Sequence, residues 1–161
     1  MSTPLRIERV PLSHPDAQTL IEAVQEVYVG LYGSRDETPI EPGYFDPPQG
    51  SFFVGYLQDR PVATGAWRFR PDLATVLGLA NPAEIKRMFV VPGAQRAGHA
   101  RTMLRHLETT AAAHGATHMI LETGAPQEAA IALYTGSGYV PIPSFGHYRW
   151  SPVNRCFARP L

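Results

Sequence analysis

One cysteine, Cys156, stands in the 161 residues, and neither sign of charge is in excess. A lone thiol closes no intramolecular disulfide, so a buried core has to hold the fold, and a reducing compartment is expected. Lys+Arg and Asp+Glu both number 14. No overall field therefore draws the chain to nucleic acid or an anionic membrane, and any anion site must be local. Long apolar runs are missing too: nothing approaches the roughly 20 residues of a membrane span. Met1-Ser2-Thr3-Pro4-Leu5-Arg6 has no signal-peptide apolar core, so a cytoplasmic protein is expected. Cys156 lies in a Phe/Val-flanked stretch without a histidine in an activating pattern, and reads as a buried structural thiol rather than a nucleophile.

Proline and glycine are plentiful, at 16 and 14, but they punctuate segments instead of forming a tract. The length suits a single domain over 1–161. Leu5 to Val10 reads as a strand. Ser13 or Asp16 is positioned to cap a helix with Leu20, Ile21, Val24, Val27, Tyr28 and Leu31 on one face and Gly33 as its stop. Ser34 to Gln49, with four prolines, reads as a pocket-shaping loop. Ser51 to Leu57 and Val62 to Phe69 form a hairpin, and Arg70 to Pro82 reads as a second loop. Ala83 to Val91 is a strand ended by Pro92-Gly93. Ala100, Met103, Leu104, Leu107 and Ala111 follow the helical period up to Gly115, and Thr117 to Thr123 is a strand. That strand, helix, strand unit predicts parallel strands joined by a right-handed crossover. Pro126 suits the first turn of a helix through Tyr134, ending at Gly136-Ser137-Gly138, and Tyr139 to Ile142 and Arg155 to Arg159 read as terminal strands. The order predicts an α/β sandwich (α+β, mixed sheet) with helices flanking a central sheet.

Gln95-Arg96-Ala97-Gly98-His99-Ala100 leaves a strand and enters a helix. Such a turn aims several N–H groups and the positive end of the helix dipole at one point, where an anion settles. Gly98 allows close backbone approach, Ala100 keeps the first turn small, and Arg96 and Arg101 add positive charge. Taken alone, the turn reads rather as a glycine turn with two solvated arginines. Neither G-x-x-x-x-G-K-[ST] nor the dinucleotide fingerprint G-x-G-x-x-G is present.

Together with Val90-Val91-Pro92 upstream and Ala130 through Leu133-Tyr134 to Gly138-Tyr139 downstream, the turn resembles the GNAT superfamily of N-acetyltransferases. Its signatures are V-x-P, [Q/R]-x-x-G-x-[G/A] and A-x-x-L-Y-x-x-x-G-[F/Y]. Ala83 to Val90, Leu121-Glu122-Thr123-Gly124 and Phe145-Gly146-His147-Tyr148 are similar to a bacterial branch known by the acetyltransferase label alone. The resemblance implies a three-layer sandwich with a splayed mixed sheet, and acetyl-CoA lying where the strands Ala83 to Val91 and Thr117 to Thr123 part. It implies backbone pairing of Met88, Phe89 and Val90 with the pantetheine arm. It also implies that the amides of Gln95, Arg96, Ala97, Gly98, His99, Ala100 and Arg101 hold the pyrophosphate.

Acyl transfer to an amine requires a neutral amine, a polarised carbonyl and a proton for the leaving thiolate. At neutral pH about one alkylamine in a thousand is unprotonated, so a base is needed. Glu84 is the candidate, directly or through a water; otherwise it reads as a surface carboxylate paired with Lys86 or Arg87. The family's tyrosine, matched by Tyr134, implies a general acid at the sulfur, the other reading being a core aromatic. Gln127 and Glu128 stand where the family often has asparagine. A backbone N–H of the cofactor strand would polarise the carbonyl. His99 either touches a phosphate or is a solvated first-turn residue. Tyr44, Phe45, Asp46, His147 and Tyr148 are candidates to line the acceptor pocket or to pack ordinary loops. His114 and His118 are separated by the helix-ending Gly115 and do not form a metal pair, so no metal is expected. The implied activity is transfer from acetyl-CoA to a primary amine of a small molecule, amino acid or peptide in a ternary complex. A non-catalytic acyl-CoA sensor is the alternative. Expected partners are the acceptor alone, with no nucleic acid or membrane and a homodimer as a candidate assembly.

Overall fold

A computed structural model describes residues Thr3–Leu161. Seven strands and four helices follow one another as β1 (Arg6–Arg9), α1 (Pro15–Tyr32), β2 (Gly50–Leu57), β3 (Arg60–Phe69), α2 (Pro71–Leu77), β4 (Pro82–Val90), α3 (His99–Ala113), β5 (His118–Gly124), α4 (Glu128–Gly136), β6 (Val140–Ile142) and β7 (Asn154–Pro160). The strands form a mixed sheet in the order β1-β2-β3-β4-β5-β7-β6. β4 and β5 are parallel, as the strand, helix, strand pattern requires, and the β1-β2, β2-β3, β5-β7 and β6-β7 pairs are antiparallel. The chain makes two compact units, one of the residues up to Arg68 with Lys86–Leu107, the other of Phe69–Ile85 with Glu108–Leu161.

In the first unit Ala17, Leu20 and Val24 repeat at helical spacing and are buried. Ala17 and Leu20 join Val10, Phe45, Phe52, Val54, Tyr56 and Ala66 in one core. Val27 and Leu31, expected on the same face, are 38% and 43% exposed while Tyr28 is half-buried, so the apolar stripe is only partly covered past Val24 and Gln25. The N-cap is His14, neither Ser13 nor Asp16: its Nδ1 accepts the Asp16 N–H at 3.1 Å, and Pro15 needs no donor partner. Gly33, at φ 78°, ends the helix as expected. Gly65 lets α3 sit low on β3, for a Cβ there would come within 2.8 Å of Met103 Cγ.

The second unit has its own core of Leu73, Ile120, Phe145, Cys156 and Ala158, with Leu77, Leu79 and Ile142 packed against it. Leu73 and Leu77 belong to α2, in the stretch expected to be a loop. The signals were short but present: Pro71 and Asp72 open the helix, and Gly78 closes it at φ 68°. At seven residues it lacks the length over which apolar periodicity is readable, and burial of Leu73 makes up for that. The helix before Gly136 begins at Glu128, two residues beyond Pro126. Cys156 is buried, 3% exposed, and its thiol is pushed up to about 11 by burial, which suits the structural role read from sequence.

Candidate active site

The first unit carries the glycine turn. β4 ends at Val90, whose carbonyl accepts the Gln95 side-chain N–H at 2.8 Å; Val91 N–H donates to Val62 O at 2.9 Å. Pro92–Ala94 make one 3-10 turn, and Arg96 and Gly98 then take φ of 65° and 83°. Alternation of positive-φ and ordinary residues is the backbone pattern in which successive N–H groups form anion-binding concavities. Thr102 N–H and hydroxyl both donate to Gly98 O, at 3.1 and 3.0 Å, which fixes the start of α3 directly after the turn. The 15-residue helix brings its positive end to that point. A Cβ on Gly98 would meet nothing within 4 Å, so space stands open beside it. The groups present therefore suit a phosphate. Arg96, Ala97 and Arg101 are exposed. His99 is buried at 8% exposure, so the solvated reading is corrected.

Further up β4, Met88 and Phe89 are half-buried and Val90 is buried; the Phe89 side chain packs on the first core. Arg87 interrupts the strand with φ 55°, rare for a residue bearing a side chain. Its guanidinium Nη1 lies 2.6 Å from Asp36 Oδ2, with the arginine side chain 7% exposed. Phe45 is 3% exposed, meets Phe52 edge to face at 6.0 Å and belongs to the first core. Tyr44 is half-buried under the Arg68 guanidinium, 4.1 Å above its ring.

The second unit carries the two catalytic candidates. Glu84 is 2% exposed, and its Oε1 accepts from Arg70 Nη1 at 2.6 Å. The expected surface pairing with Lys86 or Arg87 is thus corrected: Glu84 is buried rather than on the surface, and a cation that meets it comes from Arg70, the residue before α2. Arg70 also forks onto Asp72 through Nε and Nη2 at 3.0 and 2.9 Å. Burial alone would lower the affinity of Arg70 for its proton, but the two carboxylates outweigh it and leave the guanidinium more firmly charged than usual. Glu84 pairs with Ile120 on the last rung of the β4-β5 ladder, although β5 continues to Gly124.

Tyr134 is 5% exposed near the end of α4, its ring tilted against Tyr139 at 5.6 Å. Tyr139 N–H donates to Tyr134 O at 3.1 Å, so Gly138 at φ 90° folds the chain back and brings the two rings together. The Tyr139 hydroxyl donates to Glu108 Oε2 at 2.7 Å, and Arg159 Nη1 donates to Glu108 Oε1 at 2.8 Å. Burial first, then this acceptor, drive the Tyr139 pKa far above the ordinary phenol range. In the loop before β7, His147 is exposed and meets Tyr148 edge to face at 4.8 Å. Glu122 anchors that loop: it accepts from Asn154 Nδ2 at 2.9 Å and Tyr148 N–H at 3.3 Å, and Gly146 lies against its carboxylate. Arg70, Glu108 and the Asp36 contact escaped the sequence reading because each partner is distant along the chain.

Residues 17–139 match the Acetyltransferase (GNAT) family. The chain belongs to that family. It is 38% identical over 150 residues to the IAA acetyltransferase of Azospirillum brasilense, covering 91% of this chain and 94% of the relative. In fold, this GNAT acetyltransferase is similar to a candidate acyl-CoA N-acyltransferase from Klebsiella pneumoniae, with TM-score 0.79, 23% identity and 99% of each chain covered. It is also similar to the PaiA N-acetyltransferase of Thermoplasma acidophilum in complex with coenzyme A, with TM-score 0.71, 12% identity and coverage of 98% and 99%. The enzyme is an N-acetyltransferase, and the mixed sheet flanked by four helices is the fold of these neighbours.

Proposed function

We propose that the enzyme moves an acetyl group from acetyl-CoA to a primary amine by direct attack in a ternary complex. The observation that carries this is the turn ahead of α3, where Arg96 and Gly98 curl the backbone into an anion cup at the helix start. The amides from Gln95 to Arg101 take the pyrophosphate, and the backbone of Met88, Phe89 and Val90 pairs with the pantetheine arm. The chain is read as one domain, since β4 and α3 each run unbroken from one unit into the other.

Tyr134 supplies the proton to the departing thiolate. Its burial and the tilted contact with Tyr139 hold the ring in one orientation, as a proton donor requires. Glu84 acts as base through a water, because a carboxylate 2% exposed and engaged by Arg70 gives an amine no direct approach. A backbone N–H of β4 polarises the thioester carbonyl. Tyr44, His147 and Tyr148 remain the acceptor-side candidates.

Free-thiol release from acetyl-CoA, measured across a panel of amines and with IAA as a separate arm, tests the reading with wild type, Tyr134→Phe and Glu84→Gln. Turnover on an amine, lost in Tyr134→Phe with acetyl-CoA affinity kept, is the expected result. Undiminished turnover in Tyr134→Phe removes that residue from its role. Tight acetyl-CoA binding without thiol release on any acceptor would make the protein a sensor of acyl-CoA.

A further inference from the structure

Arg87 combines three properties that a strand residue seldom has together. Its φ is 55°, its guanidinium is buried, and its carbonyl receives the buried Thr64 hydroxyl at 2.7 Å. The left-handed backbone costs an L residue on the order of 1 kcal/mol or more, so something must hold it there. Two contacts do: Thr64 Oγ1 fixes the direction of the Arg87 carbonyl, and Asp36 Oδ2 fixes the side chain at 2.6 Å.

Asp36 is itself held from every side. Its second oxygen, Oδ1, accepts the Thr38 N–H at 2.9 Å and the Thr38 hydroxyl at 2.6 Å. Its backbone is read in both directions by the buried Gln25 of α1: Asp36 N–H donates to Gln25 Oε1 at 2.8 Å, and Gln25 Nε2 donates to Asp36 O at 3.3 Å. A segment of the acceptor-side loop is thereby fastened to one residue of β4.

The consequence lies in the next peptide group. The Arg87-Met88 bond is trans, since the one cis bond among the described residues is Pro47-Pro48. In a trans peptide the carbonyl of one residue and the N–H of the next point in opposite directions. With the Arg87 carbonyl turned to Thr64, the Met88 N–H is turned away from Thr64. Met88 is also the first of the residues assigned to the coenzyme arm.

We propose that the Asp36–Arg87 ion pair and the Thr64 hydroxyl are positioning groups that aim the Met88 N–H at the thioester carbonyl and tie the acceptor-side loop to that donor. This rests on the acetyl-CoA reading above. None of the three side chains touches the reacting atoms; each acts through the backbone of Arg87. Loss of any one lets the strand relax toward regular geometry and turns the N–H off its target.

The carbonyl stretch of acetyl-CoA labelled with 13C at the thioester carbon reads that hydrogen bond directly. Bound to wild type, the band falls below its position in water. In Asp36→Asn and in Thr64→Val it returns toward the free position, while unlabelled CoA, which has no thioester carbonyl, still binds within about threefold of wild type through the pyrophosphate turn and the Phe89 and Val90 backbone. The Asp36 result is the one that joins loop to donor, since that residue is remote in sequence from β4. A band unmoved in both variants, or CoA binding lost in both together with the fold, makes the pair structural and overturns the proposal. If wild type binds neither CoA nor acetyl-CoA, the coenzyme reading itself falls, an outcome distinct from an unmoved band.

Discussion

A proton donor is judged by rate at unchanged binding. Tyr134→Phe is expected to lower kcat by about 10² to 10⁴, with the acetyl-CoA dissociation constant nearly unchanged, in thiol-release kinetics beside calorimetry. Tyr139→Phe keeps the ring against Tyr134 but leaves Glu108 without one of its donors. A loss of about 1 to 3 kcal/mol in urea unfolding is expected, with a much smaller effect on kcat. Asp36 makes a pH prediction. Burial works against its ionisation, but the Thr38 hydroxyl and N–H, then the charges of Arg87 and Lys86, outweigh that and set its pKa at about 2. A carboxyl whose folded pKa lies below its unfolded value stabilises the fold above the unfolded pKa, and loses that contribution as pH falls through the folded one. Its share, about 2 kcal/mol, should vanish between pH of about 4 and 2 in acid unfolding, and Asp36→Asn should flatten that limb.

Two turns decide what the elements around them can do. The turn into α3 depends on Gly98, where the left-handed backbone and the open space beside it leave room for an anion. Gly98→Asp puts a carboxylate at that place and should weaken acetyl-CoA binding by tenfold or more, roughly the repulsion of like charges at short range. Unchanged affinity in calorimetry would remove the pyrophosphate from this turn. In the loop before β7, Gly146 is required for a different reason: an added Cβ would lie 2.0 Å from Glu122 Oε2. Gly146→Ala should destabilise the second unit by about 1 to 3 kcal/mol through displacement of that carboxylate, visible as a lower urea midpoint. The helix α2 shows the opposite balance. Its first residue, Pro71, and its C-cap, Gly78, are local signals, yet only the burial of Leu73 selects helix over loop in so short a segment.

At the scale of the molecule, formal net charge is zero at pH 7, so on the proposed reading the attraction of a polyanionic coenzyme is local, resting on Arg96, Arg101 and the helix end. Among the described residues no helix is long and apolar enough to cross a membrane. Zero net charge also removes mutual repulsion between copies, and solubility followed by light scattering should pass through a minimum near pH 7.

Local pattern by itself determined the element order apart from α2 and the parallel β4-β5 pair, because helix period and proline and glycine stops are properties of neighbouring residues, and the family was legible through its resemblance to known signatures. Tertiary structure alone decided that Glu84 is buried against Arg70, that Phe45 belongs to the core and that Asp36 holds Arg87. Those contacts join positions far apart in the chain, and burial and charge pairing act only once the fold has brought them together. The glycine turn ahead of α3 could therefore be read in the linear order of residues, while the contacts that hold the backbone of Arg87 could not.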